Sequence, residues 1–147
     1  MDHEKYMRQA LKLAQEAAKK GETPVGCVIV NQAGEIVGRG RNCTEEADAT
    51  CHAEMEAIRD ASKNLGDFRL TGCSIYVTME PCPMCAGAVM NARIKRLFYG
   101  CRDENMGSCG SVINLFMENY GRKAEITGGI LGDECASLLT KFFKRLR

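Results

Sequence analysis

Two short stretches carry residues able to do chemistry together: Cys51-His52-Ala53-Glu54 and Glu80-Pro81-Cys82-Pro83-Met84-Cys85. Each is ambiguous alone. A Cys-x-x-Cys pair can be a redox site or two buried thiols, and a single histidine on a helix is more often structural than a ligand. Combined, they offer one imidazole and two thiols. Three protein ligands of that kind leave the fourth tetrahedral position of zinc open for water, as a catalytic centre requires. Glu54 follows His52 by two residues, so it projects from the same first helical turn without entering the metal shell. A carboxylate there is placed to take a proton from an activated water and hand it on. The pattern points to metal-assisted hydrolysis, with His52, Cys82 and Cys85 as ligands and Glu54 as the proton carrier.

Three other readings compete. Strand, Cys-x-x-Cys, helix is also the layout of a thiol-redox site, but that leaves His52 and Glu54 without a purpose. A purely structural zinc site needs a fourth protein ligand. Cys51 is the nearest candidate, although neighbouring residues rarely both reach one ion. Glu54 itself could be a solvated residue or a partner for the helix dipole.

The elements that hold these residues follow from periodicity. Residues 2–20 predict a helix, with Tyr6, Met7, Ala10, Leu11, Ala14, Ala17 and Ala18 at helical spacing. Lys19 and Lys20 suit its negative end, and Gly21 suits the stop. Val25 to Val30 and Glu35 to Arg41, separated by Asn31-Gln32-Ala33-Gly34, predict a hairpin. Residues 43–51 are polar and irregular. Residues 52–65 predict a second helix, with Met55, Ile58, Ala61 and Leu65 on one face. Ser74 to Met79 reads as a β-strand, residues 84–92 as a compact helix, and Arg96 to Gly100 as a further strand. A glycine-containing loop covers 101–111, a short helix lies around Val112 to Met117, and Glu125 to Thr127 suits a last strand. Asp133 to Arg147 predicts a closing helix with Leu138, Leu139, Phe142, Phe143 and Leu146 inward. Both metal-ligating stretches therefore begin helices. Those ends carry partial positive charge and lower thiol pKa values, so Cys82 and Cys85 are expected to ionise easily.

Alternating strands and helices predict a sheet covered by helices on both faces. The chain has 147 residues, is 45% hydrophobic and 27% charged, and shows no repeat or low-complexity segment. That composition suits one ordinary globular domain that buries enough surface to fold without disulfides. The net charge of +1 argues against a general nucleic-acid-coating protein while leaving room for a locally basic site. No apolar run approaches the ~20 residues that span a bilayer, and Met1 to Tyr6 has no apolar core, so a cytosolic protein is expected. Nine cysteines fit a reducing compartment in which thiols stay free. Cys27, Cys43, Cys73, Cys101, Cys109 and Cys135 read as small core or pocket residues. Val25, Ile29 and the Met79 region are candidates to line a pocket.

His-Ala-Glu followed by Pro-Cys-x-x-Cys resembles the signature of the cytidine and nucleobase deaminases. The likeness extends to Pro24-Val25-Gly26, Arg41-Asn42, Tyr76 to Cys82, Met84 to Ala88, Tyr99 to Asp103, Gly107 to Ser111 and the tail at Cys135, Leu138, Leu139 and Phe142-Phe143. Over nearly the whole chain it resembles the bacterial tRNA-specific adenosine deaminases. The resemblance implies a single zinc-dependent deaminase domain over residues 1–147 with a three-layer α/β/α fold around a five-stranded mixed sheet. It implies a homodimer, one Zn2+ per chain, and hydrolysis of the wobble adenosine of a tRNA anticodon loop to inosine. In that family an activated water attacks C6 of adenine and the glutamate matching Glu54 shuttles protons. The asparagine matching Asn42 contacts the nucleoside, the backbone at Ala53 faces the base, and the pair matching Arg102 and Asp103 lies in the loop that handles flanking nucleotides. Cys51 departs from the small apolar residue common before the zinc histidine. Pro83-Met84 also occurs in relatives acting on free guanine or cytosine, so deamination of a free base or nucleoside is the alternative. Lys141, Lys144, Arg145 and Arg147 offer a basic end for RNA phosphates, or simply complement the dipole of a solvated helix terminus.

Overall fold

The computed structural model describes residues 2–146. Arg147, the last of the basic residues named above, lies outside the described residues. Helix α1 (His3–Lys19) starts where the Asp2 side chain accepts the Lys5 N–H at 3.1 Å and stops before Gly21, whose φ of 77° is left-handed. Strands β1 (Gly26–Val30) and β2 (Ile36–Arg41) form the expected antiparallel hairpin, with Val28 opposite Arg39 and a register shift at Ile29/Val30. Helix α2 spans Ala53–Leu65, β3 Ser74–Met79, α3 Pro83–Asn91, β4 Arg96–Cys101, β5 Glu125–Thr127 and α4 Gly132–Arg145. The five strands lie in the order β2-β1-β3-β4-β5. β1 runs antiparallel to both neighbours, whereas β3–β4 and β4–β5 are parallel.

Side chains alternate across the sheet. Ile75 and Val77 pack beneath α2 and α3 with Ala57, Ala61, Val89 and Leu97. Tyr76 and Val28 face the other way, against Tyr6, Met7, Ala10 and Cys135 of α1 and α4. These two cores make the expected three-layer α/β/α sandwich. No helix among the described residues is long and apolar enough to cross a membrane.

Glycine sets the spacing of the layer that carries the site. A Cβ on Gly40 of β2 would lie 2.2 Å from the Ala53 carbonyl oxygen and 2.5 Å from the Ala57 nitrogen. Only a residue without a side chain lets the α2 backbone come this close.

Three expectations change. The buried face of α2 is Ala53, Glu54, Ala57 and Ala61, while Met55 and Ile58 are half-buried and Leu65 is exposed. A helix pressed backbone-to-backbone on glycine buries its small residues and turns its large ones outward. In α4 only Cys135 and Leu139 are buried; Leu138 and Phe142 are half-buried, and Phe143 and Leu146 are exposed. Periodicity reveals an apolar face but not how far the sheet extends beneath it. The helix expected at Val112 to Met117 shrinks to a 3-10 turn at Leu115–Met117, started by the Asn114 side chain accepting the Phe116 N–H.

Candidate metal centre and active-site pocket

His52 is the N-cap of α2 and Cys82 the N-cap of α3, yet neither side chain caps its own helix. They turn toward one another instead. β2 holds α2 through Gly40, and the β3–β4 ladder continues through the Glu80 N–H donating to the Cys101 carbonyl at 2.8 Å. This delivers Cys82 and, one helical turn on, Cys85. His52 Nδ1 lies 3.6 Å from Cys82 Sγ and 3.6 Å from Cys85 Sγ. Zinc with ordinary Zn–S and Zn–N bonds in a tetrahedron separates such atoms by about 3.6 Å. The three donors therefore already stand where a tetrahedral ion needs them.

The charges are uneven. A hydrogen bond from the Cys85 thiol, aided by His52, holds Cys82 down to about 4. Cys85 moves up, because it is the donor to Cys82 and is also buried. Its hydrogen bond to Cys82 raises the His52 pKa above its usual value. The expectation that both thiols ionise easily thus holds for Cys82 alone in the metal-free arrangement. Two thiolates so close repel, and one proton stays between them until a cation takes its place.

Glu54 is buried beside this triad at 4% exposure. Burial pushes its carboxyl up to about 7, with the negative Cys82 adding to the rise. A group that gains and loses a proton near neutral pH is tuned for general acid–base work.

His52, Cys82 and Glu54 line a cavity of about 250 Å³, with Cys85 wholly buried behind them. Asn42, Ala53 and Asp103 line it, with Val25 and Met79. Ile29 does not; it belongs to the core beneath α2. Arg102 does not line it either: its side chain is 60% exposed and is held by the Ser111 hydroxyl at 3.0 Å and Glu104 at 3.7 Å. Thr23, Thr44 and Met106 line the cavity without having stood out in the sequence.

Two buried carboxylates shape the walls. Glu22, wholly buried, accepts the N–H groups of Glu45 at 3.0 Å and Glu46 at 2.9 Å, which fixes the loop after Asn42. Glu80 accepts the N–H groups of Asp103 at 3.1 Å, Cys109 at 2.9 Å and Ser111 at 3.1 Å, and the Ser111 hydroxyl. Burial alone raises its pKa, but the hydrogen bonds led by Ser111 and Asp103 outweigh it and leave the carboxyl below the usual range. Asp103 Oδ1 in turn accepts the N–H groups of Asn105 and Met106 at 3.0 and 3.2 Å. Neither clamp was recognised in the sequence. The one available signal was a glutamate fixed between a strand end and Pro81.

These features agree with what the chain resembles. The family model for the cytidine and deoxycytidylate deaminase zinc-binding region matches residues 1–101. The tRNA-specific adenosine deaminase of Bacillus subtilis (strain 168) is 44% identical over 146 residues, covering 98% of this chain and 90% of that one. A Deinococcus radiodurans tRNA(Ile)-lysidine synthase is 46% identical over 142 residues, but this chain spans only 24% of its length. Among solved structures, one from work on A-to-I editing by tRNA:A34 deaminases at the wobble position superimposes with a TM-score of 0.88 at 39% identity, covering 91% of this chain and 98% of that one. The chain belongs to the zinc-dependent cytidine and deoxycytidylate deaminase family and, within it, to the tRNA-specific adenosine deaminases.

Proposed function

We propose that this protein hydrolyses the wobble adenosine of a tRNA anticodon to inosine and ammonia, with His52, Cys82 and Cys85 holding the zinc and Glu54 moving the protons. The observation that carries the chemistry is the equal 3.6 Å spacing of His52 Nδ1 from both sulfurs, with a buried carboxyl beside them. When bound there, zinc supplies a Lewis acid that makes a water nucleophilic near neutral pH. Glu54 would carry one proton of the water to a ring nitrogen of the base as the oxygen adds at C6, and then carry the second to the amino group, which leaves as ammonia. Asn42, held by its N–H on the Val25 carbonyl at 3.0 Å, offers its amide to the nucleoside, and the Ala53 backbone faces the base. Asp103 fixes the loop beside the flanking nucleotides, and Arg102 meets them outside the cavity, where its side chain is exposed.

The remaining readings are also our own. Residues 1–147 form one deaminase domain. The described part of the basic end, Lys141, Lys144 and Arg145, is exposed on α4 and available to RNA phosphates. Exposed Met84, Val112, Ile113, Met117 and Tyr120 give a second copy of the chain an apolar face to cover, which supports a homodimer. All nine cysteines are free thiols, which supports a reducing, cytoplasmic setting.

The test is ammonia release from an anticodon stem-loop with adenosine at the wobble position, run beside free adenosine, adenine, guanine and cytosine. Release from the stem-loop alone, with inosine recovered, is the expected result. Release from a free base or nucleoside but not from the stem-loop overturns the substrate. Glu54→Gln is expected to keep zinc and fold while losing roughly 100- to 10,000-fold in turnover, and full activity in that variant overturns the role of Glu54.

A further inference from the structure

One residue before the first zinc ligand lies a second group of metal-binding side chains, outside the machinery described above. The ligand atoms of Cys43, Cys51 and Glu56 all lie within 4.8 Å of one another, a property shared by only one other such group among the described residues, His52, Cys82 and Cys85. Cys43 and Cys51 are buried, at 9% and 6% exposure. The Cys43 thiol donates to Glu56 Oε1 at 3.2 Å. The other carboxylate oxygen, Oε2, is engaged by Arg59 at 3.3 Å, so Oε1 is left to face the sulfurs.

The backbone around the group is well tied. The Cys43 N–H donates to the Cys51 carbonyl at 2.9 Å, the Cys51 N–H to Asp48 at 3.1 Å, and the Ala47 N–H to Cys43 at 3.0 Å. Glu22 fixes the same loop at Glu45 and Glu46. The thiols are therefore brought together by a closed loop, without relying on side-chain packing alone. There is also a way in: Cys43 and Glu56 line a surface cleft of about 430 Å³ on the side of α2 that faces β2. Two sulfurs and one carboxylate oxygen select a soft or borderline cation over magnesium or calcium, which take oxygen-only shells. Metal–sulfur bonds of about 2.3 Å and metal–oxygen bonds of about 2.1 Å place such atoms about 3.6–3.8 Å apart. That spacing needs only small side-chain rotations here.

We propose that Cys43, Cys51 and Glu56 form a second metal site, separate from the catalytic centre, that takes a thiophilic divalent cation with water completing its shell. The cation displaces the thiol protons, which leave to solvent, and no oxidant or reductant takes part.

The experiment uses the zinc-loaded protein in a non-thiol reductant. Cadmium is added as the probe, excess metal is removed by desalting, and both metals are counted per chain by mass spectrometry. The parent protein is expected to keep one zinc and gain one cadmium. Cys43→Ser and Cys51→Ala are each expected to keep the zinc, which reports an intact fold, and to lose the cadmium. Glu56→Gln is expected to weaken cadmium binding, because a neutral amide oxygen replaces the charged carboxylate ligand. Three results overturn the proposal: no cadmium on the parent protein, cadmium that replaces the zinc instead of adding to it, or cadmium that persists in both cysteine variants.

Discussion

The carboxylate of Glu80 accepts the backbone N–H of Cys109 at 2.9 Å, joining the end of β3 to a loop 29 residues further on. With its bonds to Asp103 and Ser111, the same side chain holds the whole segment that brings Asp103 and Met106 to the cavity. Glu80→Gln puts an amide donor against N–H groups that need an acceptor. Hydrogen bonds to a charged group are worth about 1.5–3 kcal/mol each. A melting temperature lower by roughly 5–10 °C is expected. Zinc content is expected to stay unchanged and KM to rise more than kcat falls, because the loop walls the pocket while the metal sits on the helices. Steady-state kinetics on the stem-loop and a thermal melt measure both.

Gly40→Ala tests the seam between α2 and β2. The new Cβ meets the Ala53 carbonyl at 2.2 Å, a backbone atom that cannot swing aside. Overpacking of this kind costs about 1–3 kcal/mol or more. The helix that moves carries His52 and Glu54, so zinc affinity and activity are expected to fall together with stability. Urea unfolding and zinc stoichiometry follow the two effects.

Removal of zinc by a chelator is expected to abolish ammonia release, and added zinc to restore it. In the chelated protein Cys82, held down to about 4 by its hydrogen bond from Cys85, is a thiolate at neutral pH. Cys85 keeps its proton. Alkylation followed by peptide mapping is expected to label Cys82 before Cys85. Equal labelling of both would show that the proton is not held as the geometry indicates.

The pH dependence of the metal-free protein has opposing parts. The folded Glu54 carboxyl, raised by burial to about 7 from 4.5, keeps a proton that the unfolded chain gives up. Its contribution therefore makes stability fall as pH rises through that window. Cys82 acts in the opposite sense: its folded thiol has lost a proton that the unfolded chain keeps, so its contribution rises with pH over the same range. The two nearly cancel in the parent protein. Glu54→Gln removes the first, so the stability of the variant relative to the parent is expected to increase between about pH 5 and about pH 7.5. Urea midpoints of the chelated proteins at the two ends measure that difference.

The metal triad was legible because its residue types are rare together and because each half begins a helix, a local feature. The hairpin was legible for the same reason: Asn31 to Gly34 interrupts two strand-like runs. The inward face of α2 was not, since alanines outrank Met55 and Leu65 only when glycine sits opposite, and that pairing joins residues 13 or more positions apart. The exposed end of α4 escaped because its apolar spacing continues past its burial. Arg102 and Asp103 are neighbours in sequence, but only Asp103 is turned to the cavity, and a motif cannot say which. Glu22 and Glu80 each bind loops distant in the chain, so neither could be seen before the sheet brought them there.

The two carboxylate clamps separate the part of the protein that does chemistry from the part that chooses what undergoes it. His52, Glu54, Cys82 and Cys85 belong to helix starts anchored on the sheet, whereas Thr44 and Met106 ride on loops held by their backbones. A loop fixed through its main chain tolerates exchange of its side chains. Drift in selectivity at Thr44 or Met106 therefore does not endanger the reaction centre. A laboratory library confined to those positions should yield altered preferences without a matching loss of metal or fold.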